Sequence, residues 1–257
     1  MAFSVLRPMS SSELSASSSR ESSSRPAVPA PQSRCSPWLT PIVYWLGQYL
    51  VLPSYFGPIA ITGQDKLPTH GPVILAPTHR ARWDSIVLPL AAGRPGTGRD
   101  LRYMVTDDEV KGLQGWFIRR LGGFPVNVRR PTVASLRHGI ELLLNQEMLV
   151  IYPEGGIRRE DRIHPLKPGL ARLAVQAEAA QADLNVQILP VDIHYGDPYP
   201  PWRCPVQIHI GDPLAVRDYL QGRTAPEALK TEAQQITADL QARLEAMVAD
   251  RPQANPI

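Results

Sequence analysis

Val73-Ile74-Leu75-Ala76-Pro77-Thr78-His79-Arg80-Ala81-Arg82-Trp83-Asp84-Ser85 carries the pattern that decides the fold. Residues 73–76 are a short apolar run closed by Pro77, which reads as a buried strand, and residues 83–92 read as a short helix. The same alternation continues downstream. Residues 101–105 predict a second strand, and 108–121 a helix with Val110, Leu113, Phe117, Ile118 and Leu121 on an apolar stripe. Residues 124–128 predict a third strand. Pro131 suits the first turn of the next helix, which carries Val133, Leu136, Ile140, Leu143 and Leu144. Strands at 148–152, 186–194 and 205–210 follow, with an Ala/Leu-rich helix at 168–182. The last helix is expected to start at Thr224, where Thr224 and Glu227 form a T-x-x-E capping box. Such alternation predicts an α/β fold, a mixed, largely parallel sheet flanked by helices. Ligands on such sheets sit at the carboxyl ends of strands, which singles out the loops after Ala76, Val128 and Tyr152.

Upstream the chain changes character twice. Residues 1–36 are rich in Ser, Pro and Ala, contain only two acids, Glu13 and Glu21, and show no apolar period. Such a stretch cannot bury enough surface to offset its ordering entropy, so it reads as a disordered tail, with an acid-poor character that also fits a transit peptide. From Cys35 to Gln64 no residue is charged, and Trp38, Trp45, Tyr44, Tyr49 and Tyr55 stand among aliphatic residues. Pro41, Pro53 and Pro58 interrupt the segment; an interior Pro costs a helix about 3 kcal/mol, and Trp and Tyr prefer the headgroup boundary. The expectation is an apolar helix near 38–52 and a turn at 53–58, lying in one leaflet of a membrane rather than crossing it. Packing on the domain's own core is the alternative. The division is therefore a tail at 1–36, a membrane-associated segment at 37–62, one domain at 63–250 that includes the C-terminal helix, and a short tail at 251–257.

Composition narrows the class. The 257 residues are 43% hydrophobic and 20% charged, a globular balance with a net charge of +3. There is no basic helix, zinc motif or aromatic–basic interleaving of the kind nucleic-acid binding needs. Cys35 and Cys204 lack metal-ligand spacing, so no zinc site or disulfide framework is expected, and a reducing compartment fits.

Three loops carry residues suited to chemistry. In the first, His79 follows a strand end and Asp84 lies five positions on. With His79 in a loop and Asp84 in the first helical turn, the carboxylate can hold one ring nitrogen and leave the other as a base toward an alcohol. Arg80 and Arg82 add charge beside it, either recruiting an acidic carrier protein or facing solvent. In the third, Tyr152-Pro153-Glu154-Gly155-Gly156-Ile157-Arg158-Arg159, two glycines let backbone N–H groups approach an anion, and Glu154 can orient an arginine or a substrate hydroxyl. In the second, Arg129 sits just past a strand end, where its planar fork can grip a phosphate. Lys167 adds a cation before a helix N-terminus. A tight turn with solvated charges is the plain alternative for these loops. Read together, they bring a base and a phosphate clamp to one sheet edge, as acylation of a phosphorylated alcohol requires.

His79-x4-Asp84 resembles the first signature of the glycerolipid acyltransferase superfamily, which includes lysophosphatidate acyltransferases. Phe124-Pro125-Val126-Asn127-Val128-Arg129 resembles the second, Tyr152-Pro153-Glu154-Gly155 the third, and Ile188-Leu189-Pro190-Val191 the fourth. All four stand in family order across about residues 60–215. The resemblance implies an acyl thioester donor on coenzyme A or acyl carrier protein, a lysophosphatidate acceptor and phosphatidate as product, with no metal and no bound cofactor. It implies His79 as base, Asp84 as its orienting partner and Arg129 on the acceptor phosphate. Glu154 and Gly155 would hold the acceptor, Pro190 would shape a site wall, and the protein would work on the cytoplasmic face of a bacterial inner or plastid-type membrane. Backbone N–H groups of Gly155 and Gly156 are candidate oxyanion donors. Thr78 stands where the family commonly has Asn, and a hydroxyl there can still bond neighbouring backbone. Gly156-Ile157 shifts Arg158 by one position from the family's usual arginine.

Glycerol 3-phosphate or another lysolipid as acceptor is a close alternative. A serine hydrolase built on Ser85 is disfavoured because no G-x-S-x-G elbow occurs. A non-catalytic membrane-binding module would need neither His79 nor Asp84.

Overall fold

The structure, a computed structural model of the chain, describes residues 33–127 and 132–251. Its elements in chain order are α1 (Leu39–Leu46), a π turn (Gly47–Val51), α2 (Leu52–Tyr55), β1 (Ile59–Thr62), β2 (Val73–Pro77), α3 (Asp84–Ala92), α4 (Arg94–Thr97), β3 (Leu101–Thr106), α5 (Gly112–Arg120), β4 (Gly123–Val126), α6 (Val133–Leu144), β5 (Met148–Val150), α7 (Gly169–Ala180), β6 (Gln187–Tyr195), β7 (Val206–Ile210), β8 (Leu214–Ala215), α8 (Val216–Leu220) and α9 (Pro226–Ala249).

The sheet runs β1-β7-β6-β2-β5-β3-β4, with β8 paired to the start of β6. Strands β2 to β6 are mutually parallel. β7 turns back antiparallel to β6, and β1 lies parallel to β7. All five residues of β2 are buried between β5 and β6, which is why this strand reads as an unbroken apolar run. On one face Ile74, Leu149 and Ile188 pack against Leu143, Leu173 and Leu240 of α6, α7 and α9. On the other, Leu75, Val150 and Val191 pack against Val87 and Leu88 of α3 and against Leu52 and Phe56. A mixed sheet covered by helices on both faces agrees with the expected α/β class.

The structure departs from expectation in several places. Residues 33–36, placed in the tail, are held against the end of α5: Arg34 and Ser36 donate their N–H groups to the carbonyls of Arg119 and Arg120 at 3.0 and 2.8 Å. The segment at 37–62 is divided: Leu52 and Phe56 lie in the domain core and Ile59–Thr62 is a sheet strand, while Trp38, Trp45 and Tyr49 are about 60% exposed. Helical structure also passes through Pro53 to Tyr55, with the π turn just before the missing N–H widening the helix there. Leu113 and Phe117 of the expected α5 stripe face outward, at 74% and 40% exposure. Finally, α9 starts at Pro226 with no side-chain cap, so the Thr224 box does not form; a first-turn Pro has no N–H to satisfy and presets φ. Thr132 opens α6 by accepting the Ser135 N–H at 3.2 Å. Residues 1–32, 128–131 and 252–257 lie outside the described residues, and with them most of the tail expected at 1–36, Arg129, Pro131 and the end of the short C-terminal tail.

Candidate active site

The carboxyl end of β2 delivers Thr78 and His79 to the sheet edge, and the first turn of α3 delivers Asp84. Asp84 is fully buried, and a buried carboxylate needs its lone pairs filled. Oδ2 accepts from the backbone N–H groups of Arg80 and Ala81, at 2.7 and 3.0 Å, and pairs with His79 Nδ1 at 2.7 Å. The loop therefore folds back on its own helix, as the five-residue spacing anticipated. Oδ1 accepts from the Tyr195 hydroxyl at 2.7 Å. With Nδ1 committed, the His79 side chain, 17% exposed, has Nε2 left for an incoming proton.

The ring of His79 stacks on Tyr152, with centroids 3.9 Å apart. Burial, and next the Asp84 carboxylate, push the Tyr152 phenol well above its ordinary pKa, so a neutral ring backs the imidazole. The His79 carbonyl accepts the Arg158 N–H at 2.7 Å, tying the first loop to the third. Thr78 ties the loop to β6: its hydroxyl accepts the Ile193 N–H at 2.9 Å and lies 3.4 Å from Asp192 Oδ1. That is the backbone bond expected of a hydroxyl at this position.

Arg80 departs from both of its expected roles. Its guanidinium is buried and pairs with Glu154 at 3.1 and 3.4 Å, with further bonds to the carbonyls of Arg158 and Arg162. Glu154 also accepts the His164 N–H at 3.1 Å. So Glu154 orients an arginine rather than facing a substrate. Arg82 is exposed and pairs with Glu109 at 2.7 Å. The Arg158 side chain is at the surface, its backbone doing the tying.

Gly155 takes φ +73°, and its N–H is engaged by the Tyr152 carbonyl at 3.0 Å, which removes it as an oxyanion donor in this loop geometry and leaves Gly156 of the pair. The Lys167 side chain lies across Gly155: a Cβ there would collide with Nζ. Gly155→Ala is therefore expected to cost about 1–2 kcal/mol for the left-handed backbone alone and to push Lys167 aside. A urea midpoint equal to the parent's would contradict this. Pro190 is not brought to the site. It shares a face of β6 with Ile188, away from Val191 and Tyr195, and lines a groove with Gly211 and Met247 of α9.

A cavity of about 260 Å³ lies beside the site, between the α1–π turn segment and α3. Val43 and Leu52 form one wall, Ile86, Leu90 and Leu101 the other, and Ser85, next to Asp84, sits on its lining. Sequence reasoning missed Tyr195, Asp192 and this cavity, each of which depends on contacts more than a hundred residues apart or on how a helix packs. Among the described residues no group of His, Cys, Asp and Glu is placed to hold a metal.

The family model described as Acyltransferase matches residues 58–194, more than half of the chain. A 1-acyl-sn-glycerol-3-phosphate acyltransferase of Streptococcus pneumoniae is 27% identical over 145 residues, 55% of this chain and 49% of that protein. The Bacillus subtilis protein of the same name is 28% identical over 133 residues, 50% of this chain and 62% of its own length. Human mitochondrial glycerol-3-phosphate acyltransferase 1 is 28% identical over 137 residues, 49% of this chain but only 16% of that protein. The matched stretch thus spans about half of the streptococcal relative. In fold, the chain is similar to the crystal structure of the 1-acyl-sn-glycerophosphate acyltransferase PlsC from Thermotoga maritima, with a TM-score of 0.58 and 19% identity over 84% of this chain and 82% of that one. With the family model covering the β2–β6 block that builds the His79–Asp84 pair, the chain belongs to the glycerolipid acyltransferase superfamily.

Proposed function

We propose that this protein transfers an acyl group from a thioester, on coenzyme A or acyl carrier protein, to the free hydroxyl of 1-acyl-sn-glycerol 3-phosphate, giving phosphatidate. The observation that carries this reading is the buried Asp84 carboxylate fixed 2.7 Å from His79 Nδ1, which leaves Nε2 as a base. Nε2 takes the acceptor's proton as its oxygen attacks the thioester carbonyl. A C–O bond forms, the tetrahedral oxyanion collapses, the C–S bond breaks, and the thiolate takes the proton back from His79. No acyl-enzyme intervenes. Arg129 and Lys167 serve as cations for the acceptor phosphate, and the Gly156 N–H as an oxyanion donor. The apolar cavity beside Ser85 takes the acyl chain. The test is a parallel assay of lysophosphatidate, glycerol 3-phosphate and lysophosphatidylcholine. Preference for lysophosphatidate is expected; equal rates with the choline lipid would remove the phosphate-monoester argument.

The exposed face of residues 38–51 seats the protein on the membrane surface, at the cytoplasmic face. No helix among the described residues is long and apolar enough to cross a membrane. Deleting residues 1–62 would remove β1 and core residues Leu52 and Phe56, so point variants make the better test. Trp38→Ser, Trp45→Ser and Tyr49→Ser together are expected to weaken sedimentation with anionic vesicles by roughly tenfold or more, with the melting temperature kept. Unchanged binding would overturn the membrane reading.

A further inference from the structure

Tyr195 is the last residue of β6, 111 positions from Asp84, and belongs to none of the four signature stretches. It is 5% exposed, and its ring lies 5.9 Å from that of Phe56. Its hydroxyl donates to the one Asp84 oxygen that neither His79 nor the loop backbone uses. We propose that Tyr195 is a positioning residue of the His79–Asp84 pair, fixing the rotation of the carboxylate and drawing off part of its charge. This rests on the acyltransferase reading for its consequence in catalysis, though not for its consequence in the pair itself.

The chemistry of the contact supports the assignment. Burial, and next the Asp84 carboxylate beside it, hold the Tyr195 phenol far above its ordinary pKa, so at any working pH the hydroxyl keeps its proton and can only donate to Asp84. Two backbone N–H groups and the imidazole crowd Oδ2, whereas Oδ1 has this single donor. Without it the carboxylate can swing about its Cβ–Cγ bond, and it carries more unshared charge toward His79. The ring stacked behind the imidazole, Tyr152, stays the same. A carboxylate with less of its charge shared pulls harder on the imidazole Nδ1–H group, so the sign of the change is set: that proton's resonance moves downfield.

Tyr195→Phe keeps the ring in place and deletes only the donor. The experiment is proton NMR of the His79 imidazole Nδ1–H resonance in the full chain, assigned by its loss in His79→Asn, run on the parent and on Tyr195→Phe. The resonance is expected to move downfield in the variant. In the acylation assay kcat is expected to fall about 3- to 10-fold with KM nearly unchanged. An unmoved resonance in a folded Tyr195→Phe protein would overturn the proposal. Because the resonance needs no turnover, a parent that proves inactive would refute the enzymatic reading while the resonance still decides the role of Tyr195.

Discussion

His79→Ala is expected to lower kcat by about 10²–10⁴-fold, the range a positioned general base supplies, while the melting temperature stays within a few degrees of the parent. Both halves follow from the hydrogen-bond inventory. The base is lost with the ring. Asp84 nonetheless keeps three donors, the Arg80 and Ala81 N–H groups and the Tyr195 hydroxyl, so no unsatisfied buried charge is created. Steady-state rates with a thermal melt check the pair of outcomes. A large fall in stability alongside the lost activity would show that the imidazole is a structural prop for the loop.

Glu154→Ala is expected to act the other way round, with a loss of about 3–5 kcal/mol in stability. The Arg80 side chain is 7% exposed and that of Glu154 is fully buried. Removing the carboxylate leaves a buried guanidinium hydrogen-bonded to the neutral carbonyls of Arg158 and Arg162, with the Asp161 carboxylate in range but not bonded to it. Those carbonyls satisfy its N–H groups without cancelling its charge. The same change frees the His164 N–H and loosens the third loop against the first, so activity falls with it. Denaturant unfolding gives the number, and the melting temperature should drop by roughly 10 °C. A variant that melts with the parent would mean that water reaches the guanidinium. Arg80→Met with Glu154→Met is expected to recover much of the stability, since two apolar side chains carry no desolvation penalty, but not the loop geometry that Arg80 sets.

The contrast between these two residues also marks what was legible in the sequence. The His79–Asp84 pair is local, five positions apart at a strand end, and its geometry follows from a strand, a short loop and a first helical turn. The parallel strands were legible for a similar reason: burial on both faces leaves an uninterrupted apolar run, as in Val73-Ile74-Leu75-Ala76. Arg80 was not. An arginine beside a catalytic loop is ordinarily solvated, and only the fold shows that Glu154, 74 positions away, meets it in the interior. Tyr195 was hidden in the same way, because a tyrosine ending a strand says nothing about which carboxylate it will reach. The N-terminal segment misled in a different manner. A neutral aromatic stretch looks alike whether it meets lipid or a protein core, and this one is divided: Leu52 and Phe56 point inward, while Trp38, Trp45 and Tyr49 are exposed. Pro190 shows the limit of a motif without a face. Its register opposite Ala76 is fixed by the parallel pairing of β2 and β6, yet the alternation of side chains along β6 turns it toward α9 rather than toward His79.

The polar ties that hold the His79 loop come from three directions. Thr78 is bonded to β6 and Asp84 to Tyr195 at the end of the same strand, His79 is bonded to the third loop, and Asp84 to its own loop backbone. In the proposed mechanism a base held this way needs little reorganisation when the acceptor arrives, which is where a direct transfer would gain its rate.

In the proposed reaction the acyl group passes from the thioester straight to a lipid hydroxyl. Rapid mixing of the protein in detergent with lysophosphatidate and thioesters labelled in the acyl group, on either carrier, tests that transfer. Label is expected in phosphatidate at the rate at which thiol is released, with none retained on the protein. Thiol released with the label appearing as free fatty acid, or trapped as an ester on Ser85, would contradict it and favour a hydrolase.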